Sequence, residues 1–179
     1  MAEFKNEIKE FWGDHLVTIN HEILDQLDLS QVTKTLLSSI GLPVNSEKVK
    51  GSPFYLHFYD KPKIKLDDQG DRYLIIGDNE GNELGIHLRT SRLYYIDSCF
   101  DRGKRFINVD ISKFLMFLKI YLNYQPQMIS AMEMDNEERL LGIVEKIKQQ
   151  FHQVDGKALV DEETYWSVIL EQVEDGLSC

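Results

Sequence analysis

The apolar positions along this chain of 179 residues change period twice. Near the start, Phe4, Ile8, Phe11 and Trp12 share one face at helical spacing, and Gly13 is a natural stop. Ser30 is placed to cap a second helix with Val32, Leu36, Leu37 and Ile40 on its apolar face. Gly41 stands just past the end of that helix and Pro43 beyond it. The period then falls to two. The aromatic run at 54–59 and the apolar run at 73–76 predict strands, the second ending at Gly77. The run at 78–82 predicts a turn, since Asn and Gly tolerate positive φ. Leu84, Ile86 and Leu88 alternate with Gly85, His87 and Arg89, the signature of a half-buried strand. A turn at Thr90 and Ser91, a strand at 93–96 and a short last one at Phe106 and Ile107 complete an antiparallel meander. Helical spacing returns after Asp110, a candidate N-cap. Ile111, Phe114, Leu115, Leu118 and Leu122 form its stripe, and Phe117, Tyr121 and Tyr124 widen it, so this helix is expected to be deeply packed. Leu140, Val144, Ile147 and Phe151 mark another helix. Tyr165, Trp166, Ile169, Leu170 and Val173 mark the last.

Helices, then a run of strands, then helices is the order of an α+β fold. The expected layout is a single domain over 1–179, with N-terminal helices in 1–43, a sheet across 54–108 and C-terminal helices in 110–176. The sheet is central, largely antiparallel and of about five or six strands. No repeat or low-complexity linker divides the chain.

Composition bounds the function. A chain of this length buries roughly 70% of its unfolded surface, so it is expected to fold without a disulfide framework or a structural metal. Its two cysteines, Cys99 and Cys179, fit a reducing cytoplasm. The N-terminal residues alternate apolar and charged, unlike a secretory signal, and Lys119 interrupts the longest apolar stretch, so no membrane span is expected. The formal net charge of −10 argues against general nucleic-acid binding. That charge is uneven: residues 133–179 carry 12 acids and 4 bases, whereas residues 31–66 carry 2 acids and 6 bases.

Catalytic constellations are sparse. Neither H-E-x-x-H nor C-x-x-C occurs, and no phosphate-binding glycine loop is present, so no metal or nucleotide cofactor is expected. His57 and His87 sit on predicted strands and read as sheet residues. A Cys99–His87 nucleophilic pair, with Arg102 near the thiol, is the one enzymatic alternative.

The order of the punctuated elements carries more information than any motif. A helix ends in Ile40-Gly41-Leu42-Pro43. YLIIGDNEGNELGIHL follows at 73–88, then TSRLYYID at 90–97, RFINVDISKFLMFLKIYL at 105–122 and YWSVILEQVEDG at 165–176. This series resembles the SUKH superfamily, especially its bacterial immunity proteins, over residues 31–176. Where such proteins often read F-x-N-S-S before the long helix, this chain has Phe106-Ile107-Asn108-Val109-Asp110, in which Asp110 can cap as serine would. The resemblance implies an α+β fold and a non-catalytic protein that binds and neutralises a toxin, often a nuclease, encoded beside it and acting inside the cell. A regulatory interaction adaptor of the same fold, as among the fungal cell-wall regulators of the superfamily, is the alternative function.

A basic nuclease would be steered to an acidic face. Two regions offer one. The preferred candidate is the loop and hairpin carrying Asp67, Asp68, Asp71, Asp78, Glu80 and Glu83, because loops on a sheet scaffold commonly carry recognition. The other is the C-terminal segment with Asp161, Glu162, Glu163, Glu171, Glu174 and Asp175.

Overall fold

In the computed structural model, which describes residues 2–44, 46, 56–79, 81–97 and 103–177, both changes of period appear as changes of architecture. Three helices come first: α1 (Ala2–Trp12), α2 (His21–Asp25) and α3 (Gln31–Ser39). The Ser30 hydroxyl accepts from the Thr33 amide at 3.2 Å, the predicted cap. A two-stranded ladder of β1 (Leu16–Val17) and β2 (Leu42–Pro43) ties the segment after α1 to the segment after α3. Strands this short carry no period, and sequence reading passes over them. Gly41 explains why a glycine ends α3. Its φ is +92°, and a Cβ there would meet the Val17 carbonyl oxygen at 2.3 Å.

The main sheet has five strands in chain order: β3 (Leu56–Leu66), β4 (Arg72–Asn79), β5 (Asn82–His87), β6 (Leu93–Ile96) and β7 (Lys104–Asn108). Every neighbouring pair is antiparallel, as the meander requires. Two strands run further than their apolar letters. β4 continues through Gly77 to Asn79, and β3 continues through Lys-Pro-Lys to Leu66, with a register shift between Phe58 and Lys63. Leu88 is buried, but in the turn after β5. Phe54 lies outside the described residues.

Three helices close the fold: α4 (Ile111–Glu133), α5 (Glu137–Asp155) and α6 (Tyr165–Glu174). Asp110 caps α4 by accepting from the amides of Ser112 at 2.8 Å and Lys113 at 3.1 Å. At 23 residues α4 is the longest element described, and it runs through Pro126, whose ring is exposed. Phe114, Leu115, Phe117, Leu118 and Tyr121 of α4 are fully buried, whereas Leu122 and Tyr124 sit at the margin of the band.

The core lies between one face of the sheet and these helices. Leu74, Ile76, Leu84, Ile86 and Leu93 meet a cluster of rings. Phe117 stacks on Phe151 with centroids 3.8 Å apart, Trp166 packs edge-on to Phe151 at 5.1 Å, and Phe114 bridges to Phe58 of the sheet at 6.3 Å. Val32 departs from its expected burial. Leu36, Leu37 and Ile40 of α3 face the core, but Val32 is 50% exposed, beside a shallow groove between α1, α3 and the start of α4.

One buried polar network fixes how α5 and α6 meet the sheet. Trp166 Nε1 donates to Asn108 Oδ1 at 2.9 Å. Asn108 Nδ2 donates to Asp155 Oδ2 at 3.1 Å, and the Val109 amide donates to the same oxygen at 3.0 Å. Asn108 is fully buried, so its two-sided amide matches a donor above and an acceptor below. The asparagine before the long helix therefore acts as a clamp at the end of β7.

Candidate partner-binding surface

The sheet face turned away from the helices is not bare. Tyr73 and Ile75 of β4 are buried on it, apart from the main core. Across β5 the opposing residue is Gly85, where a Cβ would come within 2.7 Å of Ile96 Cδ1 and 3.3 Å of Tyr73 Cβ. Missing a side chain, Gly85 lets its neighbours close over the strand. Tyr73, His87, Tyr94 and Phe106 extend this layer, with ring centroids 5.3–6.1 Å apart.

The hairpin acids form the rim of this layer, and most of them are engaged. Asp67 organises the β3–β4 turn: its Oδ1 accepts from the amides of Gln69 at 3.0 Å and Asp71 at 2.9 Å. Its other oxygen takes Lys104 Nζ at 3.1 Å and the Tyr73 hydroxyl at 3.3 Å. Desolvation alone would push the Asp67 carboxyl up, but the hydrogen bonds from Lys104 and the two amides outweigh it and hold the group below its usual range. Lys104 also donates to the Tyr73 hydroxyl at 2.8 Å, stands 3.6 Å from Asp71 Oδ2 and lies over the Tyr73 and Tyr94 rings. Desolvation disfavours its charge, yet the Tyr73 hydroxyl and the Asp67 carboxylate prevail and raise it above an ordinary lysine.

The same pattern repeats along the hairpin. Glu83 lies 3.0 Å from Lys63 and 2.5 Å from Lys65. Its carboxyl is held below the usual range by those two lysines, against the upward push of burial. Asp78 faces His57 at 3.5 Å. It also accepts from Tyr59, whose phenol is pushed up to about 12, first by burial and then by Asp78. Asp68 projects exposed, with no ion pair among the described residues. Glu80 lies outside the described residues.

His87 has its tautomer fixed by geometry. The Thr90 amide donates to Nδ1 at 3.1 Å, so Nδ1 is the acceptor and Nε2 carries the proton toward Asp71 Oδ1, 3.4 Å away. Both ring nitrogens thus have a turn or hairpin partner. Cys99 and Arg102, the other members of the enzymatic alternative, lie outside the described residues. Among the described residues, no group of three His, Cys, Asp or Glu side chains is placed to hold a metal ion, and no helix is long and apolar enough to cross a membrane.

The C-terminal acids stand differently. Asp161, Glu162 and Glu163 form the turn between α5 and α6, with Asp161 Oδ1 accepting from the Glu163 amide at 2.8 Å. Glu162, Glu171 and Asp175 are exposed and carry no ion pair among the described residues, whereas Glu174 is held by Lys148 at 2.5 Å. Val160, 79% exposed, stands between two adjoining grooves of about 410 and 390 Å³. The first groove runs along β7 and the second between α5 and α6. Sequence reading placed the acids of both regions but did not separate paired from unpaired ones, because the hairpin lysines reach them only through strand register.

No curated protein and no solved structure matches the chain. The family model described as SUKH-4 immunity protein matches residues 5–172, from α1 almost to the end of α6. That span takes in the meander, the Asn108 clamp, the acidic hairpin and the C-terminal acids up to Glu171, and on it the chain belongs to the SUKH-4 immunity protein family.

Proposed function

We propose that this protein protects a cell by binding and neutralising a protein toxin encoded beside it, in the cytoplasm, and that it does so without catalysis. The observation that carries the reading is the family match over residues 5–172, which covers nearly the whole fold. The surface chemistry supports it. Asp67, Asp78, Glu83 and Asn108 are held in turns, ion pairs and a buried clamp, which fixes the shape of the surface, and the net charge is −10.

A toxin with a basic active-site cleft, such as a nuclease, is the target that suits this charge. In this proposal the attraction comes from carboxylates that have no cation partner among the described residues: Asp68 on the β3–β4 turn, and Asp161, Glu162, Glu171 and Asp175 around the C-terminal turn. Asp67, Asp71, Asp78 and Glu83 hold the hairpin in shape beside Asp68. The test is co-expression with the product of the neighbouring toxin gene. The chain should restore growth and co-purify with the toxin. Undiminished toxicity with the chain abundant and folded would reject the reading.

A further inference from the structure

We infer that the groove along β7 receives an extended segment of another protein, with that segment's carboxylates facing Arg92, Arg105 and Lys157. The starting point is the sheet order, in which β7 is an edge strand. An edge leaves outward N–H and C=O groups unpaired, a template for an added strand. The Asn108 end of β7 is already closed, since the Val109 amide donates to Asp155, which leaves 104–107 without a further strand partner among the described residues. The other edge, β3, is blunted. It carries Pro62 and a register shift between Phe58 and Lys63, and two of its lysines are engaged by Glu83.

The groove beside β7 has the size and lining of a recognition cleft. It encloses about 410 Å³, with Phe106 and Val160 as apolar contacts. Arg92, Arg105 and Lys157 line it without a carboxylate partner among the described residues, in contrast to Lys63, Lys65 and Lys104 of the same sheet. Asp161 lines it as well, and among the described residues no ion pair joins it to those three cations. The groove between β7 and the turn at Val160 and Asp161 is where an added strand would lie. Carboxylates on one flank of the incoming segment would meet the three cations, and apolar or basic side chains on its other flank would meet Val160 and Asp161. The groove's chemistry does not depend on the toxin reading. A phosphate-bearing strand is disfavoured by Asp161 and by the overall charge of −10.

The test is selection of linear peptides from a displayed library on the folded full-length chain, followed by titration of the enriched peptides. Enriched sequences should carry acidic residues at alternating positions, and their amide shifts should concentrate at 104–108 and 157–164. Arg92→Gln/Arg105→Gln/Lys157→Gln should weaken binding by about tenfold or more with an unchanged circular dichroism spectrum. Arg92→Gln/Lys157→Gln serves if the half-buried Arg105 proves necessary for folding. The inference is overturned if no acidic peptides are enriched, if they bind the variants equally, or if the shifts map to β3. A single-stranded oligonucleotide that binds through the same three cations in place of peptide would overturn it too.

Discussion

The hairpin and the C-terminal turn are both acidic in sequence, yet they use their carboxylates in opposite ways. In the hairpin, Asp67, Asp71, Asp78 and Glu83 each face a lysine or a histidine, and Asp67 also builds a turn. These groups are part of the fold. Around the C-terminal turn, only Glu174 has a lysine among the described residues, and Glu162, Glu171 and Asp175 face solvent. A count of acids along a chain therefore says little about the field they project. What decides it is whether strand register or helix packing brings a cation within reach.

Mutations can sharpen this contrast. Core truncations set the largest scale: Phe114→Ala and Leu118→Ala, both fully buried, should each cost about 2–5 kcal/mol in urea denaturation. Asp67→Ala should come next, at about 2–3 kcal/mol, because it removes the turn acceptor and leaves partly buried Lys104 without its closest carboxylate. A loss near zero would mean that the hairpin acids are not structural. Neutralising Asp161, Glu162, Glu171 and Asp175 together should change stability by only about 0.5 kcal/mol. The same variant should slow association with a basic toxin several-fold at low salt, an effect screened away over about 8–10 Å at physiological ionic strength.

The pH dependence separates the regions as well. Asp67 and Glu83 both have carboxyls depressed in the folded state. Their contribution is fully present above the ordinary unfolded value of about 4 and is lost as pH falls through their lower folded values. Asp67→Asn/Glu83→Gln should flatten the acid limb of a stability–pH curve, and neutralising the C-terminal acids should leave that limb nearly unchanged. The opposite ranking would reverse the assignment of roles.

Much of the fold is legible in the sequence because its signals are local. The stripes of α1, α4, α5 and α6, the caps at Ser30 and Asp110, and the period-two strands of the meander need only near neighbours. The misreadings share a cause. Val32 fits the apolar stripe of α3 but faces a groove, β1 and β2 are too short to show a period, and β3 runs on through Lys-Pro-Lys because an edge strand tolerates those residues. The surface was less legible still. Glu83 meets Lys63 and Lys65, and Asn108 meets Asp155 and Trp166, only once strands and helices are laid side by side. Phe106 to Asp110 stood out as a motif, but the clamp made by its asparagine depends on partners far along the chain.

The most direct test of the toxin-binding account is a titration of the purified neighbouring toxin with the folded chain, reading the toxin's own activity on its substrate. The account predicts that activity falls in proportion to added chain and vanishes near stoichiometric equivalence. Full toxin activity in the presence of a large excess of folded chain would contradict it.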